Sequence, residues 1–279
     1  MAFGGTDTPA ACYDAHTSHA PRQPFPASPP AGSVVAMGHR RLSIVDLSPA
    51  GHQPMSYADG RFWIVYNGEV YNHLELRAEL EALGHGFASH CDTEVILAAY
   101  AQWGEDCLHR FNGMFAFVLI DRAERRLFAA RDRFGVKPLY YWISPNGAVA
   151  FASEIKQFTC MPGWQAKIDG QRAYDFLNWS LLDHTEQTLF AGVHQLRNGE
   201  CASLDLAAVH LGHGRLPCRR WYTLRAAPFR GSYSDATDAF RSLFFDAVKL
   251  RLRADVLVGS CLSGGLDSSS IVCVTGALL

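Results

Sequence analysis

Arg61-Phe-Trp-Ile-Val-Tyr-Asn-Gly-Glu-Val-Tyr-Asn72 opens with aromatic and β-branched side chains and closes with polar ones. Residues 61–66 predict a strand, because such side chains fit a pleated, half-buried surface. After Tyr71-Asn72 a helix is expected, with Leu76, Leu80 and Leu83 on one face and Gly84 as its stop. A second helix is expected from Asp92-Thr93, with Ile96, Ala99 and Trp103 on one side and Gly104 at its end. Four strands follow closely at 114–121, 126–133, 139–144 and 148–153. The breaks at 122–125 and 145–147 read as tight turns. Antiparallel hairpins beside helices imply an α+β layered domain.

Outward from this block the pattern changes. Residues 1–36 hold Pro9, Pro21, Pro24, Pro26, Pro29 and Pro30 and show no period, so they are expected to be disordered or loosely attached. Residues 198–220 are rich in Gly, His and Arg and give no clear element. A linker is expected at 225–234. From Asp235 a helical pattern appears (Ala239, Leu243, Phe244, Ala247, Leu250), then Ala254–Leu262 reads as a buried strand, and a second helix starts after a glycine loop. This order opens a parallel α/β domain that one strand and two helices cannot close, so exposed apolar faces, aggregation or disorder are expected beyond about Arg230. The expected divisions are 1–36, 37–224, 225–234 and 235–279.

The chain has 279 residues, 48% of them hydrophobic and 19% charged, with a formal net charge of −2. That balance gives no electrostatic reason to expect nucleic acid or an anionic membrane as partner. No apolar run is long enough for a transmembrane helix. The eight cysteines form no C-x-x-C pair and no zinc spacing with His. Cys261 and Cys273 sit in apolar runs and read as buried thiols. A reducing cytoplasm is the expected compartment.

Ser263-Gly-Gly-Leu-Asp-Ser-Ser269 lies between the expected strand and helix. Two glycines let backbone approach an anion, the helix N-terminus offers free N–H groups, and Ser263, Ser268 and Ser269 add hydroxyls. Asp267 could hold a Mg²⁺ ion that accompanies a phosphate chain. No Gly-Lys-Ser/Thr follows, so this is not a Walker loop. With Leu262 before it, the string resembles the pyrophosphate loop of ATP pyrophosphatases, which activate a carboxylate as its adenylate. That resemblance implies ATP and Mg²⁺ as cofactors.

Four further strings carry polar groups in unusual places: Gly38-His-Arg-Arg-Leu-Ser-Ile44, Tyr66-Asn-Gly-Glu-Val-Tyr-Asn72, Ser89-His-Cys-Asp-Thr-Glu94 and Arg131–Tyr141. With Gly51-His-Gln-Pro-Met55, Phe111–Phe117 and Ala152–Lys156, they resemble, in order, the glutaminase domain of the glutamine-hydrolysing asparagine synthetases. The resemblance runs from about Met37 to Trp221. It implies an N-terminal-nucleophile hydrolase fold, two antiparallel sheets between helices in an αββα sandwich. It also implies that Arg41 takes the α-carboxylate of glutamine, Asp92 the α-ammonium, and that Glu69 helps hold the substrate. Asn67 and the Gly68 N–H would form the oxyanion hole. A zwitterion needs such a pair of opposite charges, and amide hydrolysis needs preorganised donors. Each residue also has a plain reading: Asp92 as a helix cap, Asn67-Gly68 as a turn, Arg41 as a surface charge. The ordered set favours the site. Asp132–Lys137 reads as a structural turn beneath it.

The resemblance departs at the start. The family begins Met-Cys-Gly, and the exposed Cys attacks the amide. Here the sequence reads Met1-Ala2-Phe3, and Cys12 sits in unmatched surroundings, so thiol-dependent glutamine hydrolysis by this chain as written is not expected. The chain is also expected to be cut short just after the ATP loop. The implied parent reaction is ATP-dependent conversion of aspartate to asparagine with ammonia from glutamine. The partners expected are glutamine, aspartate, ATP and, as a candidate, a second copy of the chain. Two rivals are a synthetase of the same two-domain family that amidates or ring-closes another carboxylate, and a non-catalytic glutamine-binding remnant.

Overall fold

The computed structural model describes residues 2–4, 9–10, 33–207 and 214–279. The first strands are β1 (Ala2–Gly4), β2 (Pro9–Ala10) and β3 (Ser33–Ala36), which pair in the order β2-β1-β3. Strands were not expected in 1–36; the remainder of that segment, including Cys12, lies outside the described residues. Then come β4 (Met55–Tyr57), β5 (Phe62–Val70), α1 (His73–Ala82), α2 (Asp92–Trp103), α3 (Cys107–Arg110), β6 (Gly113–Asp121) and β7 (Arg126–Arg131). They are followed by β8 (Tyr140–Ile143), β9 (Val149–Ala152), α4 (Gly170–Trp179), β10 (Val193–Gln195), β11 (Glu200–Asp205), β12 (Cys218–Arg220), α5 (Tyr233–Arg251) and α6 (Leu266–Leu278).

The central sheet has the order β12-β11-β7-β6-β5-β4, and a smaller one has the order β10-β8-β9. The strands of both sheets pair antiparallel. Period-two alternation on β5 and β6 gives the central sheet two apolar faces. Phe62, Ile64, Tyr66, Phe115, Phe117 and Leu119 pack against Leu76 and Leu80 of α1 and Val95, Ile96 and Tyr100 of α2. Trp63, Ala116, Val118 and Ile120 pack instead against Leu139, Tyr141 and Phe151 around the second sheet. The far side of that sheet is covered by a 3-10 turn at Ile155–Cys160, through Trp142, Val193 and Phe158. Helix, sheet, sheet and helical turn reproduce the expected sandwich.

Several expectations are corrected in detail. β5 runs past Tyr66 to Val70, because Asn67, Gly68 and Glu69 pair with Ala116, Phe115 and Met114. Polar residues that disfavour strands are held in one by a neighbouring strand already committed to its own pairing. Leu83 is not on a buried face: it ends α1 and is 51% exposed. α2 is buried on all sides from Asp92 to Tyr100, so the one-sided stripe was too narrow a reading. The stretch expected to be unreadable, 198–220, supplies the two strands β11 and β12.

The expected strand at 254–262 is not formed. That stretch is exposed, with Leu257 at 102%, because no strand among the described residues offers it a ladder. Cys261 and Cys273 are exposed rather than buried. The region beyond Arg230 is nonetheless helical. Ser232 and Asp235 close a capping box at the start of α5, and α5 packs on α6. Phe240, Leu243 and Leu266 leave apolar surface open, as expected. Among the described residues no helix is long and apolar enough to cross a membrane.

Candidate amino-acid site and phosphate loop

β4 ends its pairing with β5 at Met55 opposite Ile64. Beyond that point one edge of β5 is open, and the N–H groups on that edge find side chains. Tyr66 N–H donates to Gln53 Oε1 at 2.7 Å, and Val70 N–H donates to Asp92 Oδ2 at 2.9 Å. By the two-residue period of a strand, the Gly68 N–H between them faces the same open edge. The Asn67 side chain makes no hydrogen bond among the described residues. Glycine is required at 68 because the backbones are close. A Cβ there would lie 2.7 Å from the Phe115 Cα and would also strike the Met114 carbonyl oxygen. Gly68→Ala is expected to cost about 3 kcal/mol through overpacking against backbone that cannot yield. In a domain of this size that lowers the thermal midpoint by roughly 6–12 °C; a scan showing a fall of under two degrees would refute the close approach.

Asp92 opens α2 but does not cap it; Cys91 occupies the cap position. The Asp92 carboxylate turns instead to β5, where Oδ2 also accepts the Tyr66 hydroxyl at 2.7 Å. Burial pushes the Asp92 carboxyl above its usual value, against those two bonds. Burial and the Asp92 charge hold the Tyr66 phenol well above its ordinary range, so it stays a donor. Glu69 is raised as well, by burial and then by Asp92, with Lys137 opposing. The Asp92 and Glu69 charges are thus neighbours.

Arg41 is not a free surface charge. Its Nη2 donates to the carbonyls of Val45 at 2.6 Å and Asp46 at 2.7 Å. Gly51 makes room for it: a Cβ there would sit 2.5 Å from the guanidinium carbon. The loop is tied down by Asp46, whose carboxylate accepts Ser48 N–H, the Ser48 hydroxyl and His90 N–H at 3.0, 2.5 and 2.8 Å. Burial works against the Asp46 charge, but the bonds from Ser48 and His90 outweigh it and hold the carboxyl below its usual value. His39, half-buried beside Arg41, is pushed down to about 4, chiefly by burial.

Arg41, Asn67, Gly68, Glu69 and Asp92 all line one cavity of about 770 Å³. Tyr66, Gln53 and Lys137 line it too, and these were not singled out from sequence. Tyr66 was findable: alternation turns it toward the helices, where a buried phenol requires a polar partner. Lys137 was read as part of a structural turn, and the turn itself is as expected. Asp132 accepts four backbone N–H groups, from Phe115, Phe134, Val136 and Lys137, at 3.0–3.1 Å. No described cysteine lines the cavity. Cys91, next to Asp92, is buried, and burial raises its thiol.

The Leu262–Ser269 loop is separate from this cavity and exposed. Gly264 has φ +80° and Gly265 starts α6 with no side-chain cap. Ser263 and Ser268 hydroxyls lie 3.0 Å apart. An uncapped helix start with clustered hydroxyls and open space over Gly264 fits a phosphate. Among the described residues no cluster of three His, Cys, Asp or Glu could hold a metal by itself. Asp267 could therefore serve a Mg²⁺ ion only alongside phosphate oxygens.

The chain is similar to several known proteins. The model of the glutamine amidotransferase domain matches residues 30–217, and that of asparagine synthase matches 239–279. Asparagine synthetase [glutamine-hydrolyzing] 3 of Bacillus subtilis is 37% identical over 242 residues, covering 86% of this chain and 38% of the relative. Amidase chry2 of Gibberella zeae is 35% identical over 254 residues, covering 88% and 35%. The chain thus spans under half the length of these relatives. A solved glutamine phosphoribosylpyrophosphate amidotransferase from B. subtilis aligns at TM-score 0.41 and 19% identity, over 62% of this chain and 32% of that one. The amidotransferase match takes in every one of the five residues predicted to line the cavity. On that match the protein belongs to the glutamine amidotransferase domain family.

Proposed function

We propose that the cavity binds free glutamine, in a protein whose parent activity is ATP-dependent synthesis of asparagine from aspartate. The observation that carries this reading is the convergence of five residues from three distant strings on one cavity, with an acid pair, an arginine and an open strand edge. Asp92, with Glu69 beside it, would take the ammonium group, and Arg41 the carboxylate. The Asn67 amide and Gly68 N–H would stabilise the oxyanion that forms when the side-chain amide is attacked. The described residues bind and polarise; the thiol that the family uses is not among those lining the cavity. The Ser263–Ser269 loop would hold the phosphates of ATP, with Asp267 toward Mg²⁺. A reducing cytoplasm fits the free cysteines among the described residues, and a second copy of the chain is the partner proposed for assembly.

A second reading has support from two relatives. Both are named as amidases and match over as much of this chain as the synthetases do, so the acceptor carboxylate in the whole protein need not be aspartate.

Calorimetry with L-glutamine tests the main proposal. Saturable binding of L-glutamine, with D-glutamine at least tenfold weaker, is expected from a site that reads both charges of the α-carbon. Binding without release of glutamate would favour a sensor over a hydrolase. Heats no different from those of D-glutamine would refute the site.

A further inference from the structure

The arm that leads to the phosphate loop is fastened to the loop that carries Arg41. Asp255 Oδ2 accepts the Asp46 N–H at 2.7 Å, and the Asp255 N–H donates to the Ile44 carbonyl at 2.9 Å. The first of these bonds joins residues 209 positions apart in the chain. Arg253 makes a second fastening. It forks onto Glu75 at 2.5 and 2.6 Å and donates to the Tyr71 carbonyl at 2.8 Å, just past the end of β5. The arm therefore touches two of the three strings that build the cavity, one through Asp255 and one through Arg253.

Asp46 is the joint. Its backbone is left-handed, with φ +55°, a strained conformation that a non-glycine residue keeps only where its surroundings impose it. All its polar groups are used. The N–H goes to Asp255, the carbonyl receives Arg41, and the carboxylate receives Ser48 and the N–H of His90, just ahead of Asp92. One residue thus touches the arginine, the start of the α2 segment and the arm toward Ser263.

We propose that Asp46 and Asp255 form a positioning link through which the phosphate-loop arm sets the grip of the amino-acid cavity. The proposal rests on the reading of that cavity as the glutamine site. Linkage makes the effect reciprocal: a ligand that draws in Arg41 and Asp92 steadies the Asp255 contact, and loosening Asp255 weakens the ligand.

The test uses the full chain. Asp255→Ala is expected to speed amide exchange at 44–48 and 90–93 by about tenfold while leaving the buried stretch 96–100 of α2 unchanged, since only local opening is affected. The same variant is expected to bind glutamine roughly 5- to 20-fold more weakly. Asp255→Asn, which keeps an acceptor, should restore both. In the unaltered chain, glutamine should slow exchange at 253–256. Unchanged exchange at 44–48 in Asp255→Ala overturns the link, even where glutamine binds normally. Faster exchange there in a chain that does not bind glutamine would sustain the link and sink the glutamine reading.

Discussion

Asp92→Asn is expected to leave the thermal midpoint of the protein within a few degrees of its starting value and to weaken glutamine binding by about 30- to 1,000-fold. The two effects separate because the carboxylate has two duties. As an acceptor it satisfies the Tyr66 hydroxyl and the Val70 N–H, and an asparagine oxygen in the same place can do the same. As a charge it is held in a buried setting that disfavours ionisation, so removing the charge relieves a desolvation cost in the empty site. Only the ammonium group of a bound amino acid loses by the change. Asp92→Ala is a different experiment, because it strands a buried phenol and a buried N–H. Calorimetry on the Asn variant decides the matter; glutamine affinity within threefold of the parent would remove Asp92 from the site.

Asp132→Ala is expected to cost about 5 kcal/mol, the largest stability loss of any single change described for this chain. One carboxylate receives four main-chain N–H groups across the Asp132–Lys137 turn and from Phe115 on β6. Each stranded N–H costs about 1–3 kcal/mol when buried, and charge-assisted bonds lie at the upper end. Asp132 is 1% exposed, so water cannot readily replace the lost partner. The thermal midpoint should fall by roughly 10–20 °C. Lys137, which the turn delivers to the cavity, should lose its place along with the fold around it. Chemical denaturation of the variant showing a loss below about 1 kcal/mol would mean that the turn is held by other contacts.

Much of the fold was legible because its period is short-range. Trp63, Val65, Phe117 and Leu119 announce strands in a few residues, and Gly84 and Gly104 mark where helices stop. The candidate site was proposed for another reason: Arg41, Asn67, Gly68, Glu69 and Asp92 stand in strings whose order resembles a known family, and all five line one cavity. What the sequence did not disclose depends on distant partners. Asn67-Gly68 reads as a turn until β6 is placed beside it. Asp92 reads as a cap until Tyr66 and Val70 claim its oxygen. The 254–262 stretch has the composition of a buried strand, but a strand is a relation between two segments, and composition names only one. Asp46 carried no local signal, since its importance lies in joining Arg41, His90 and Asp255.

The uninterrupted ladder from Phe62 to Val70 has a consequence for how this segment can change over time. Side chains at 62, 64 and 66 face the helices, while those at 63 and 65 face the second sheet, with Asn67 and Glu69 next in the same alternation. Deleting or inserting one residue upstream of Asn67 would exchange the two sets, sending core aromatics into the cavity and the amide and carboxylate into the core. Core and site share a single reading frame of the backbone. Between Phe62 and Gly68 the number of residues cannot change, and length variation must be confined to the loops on either side.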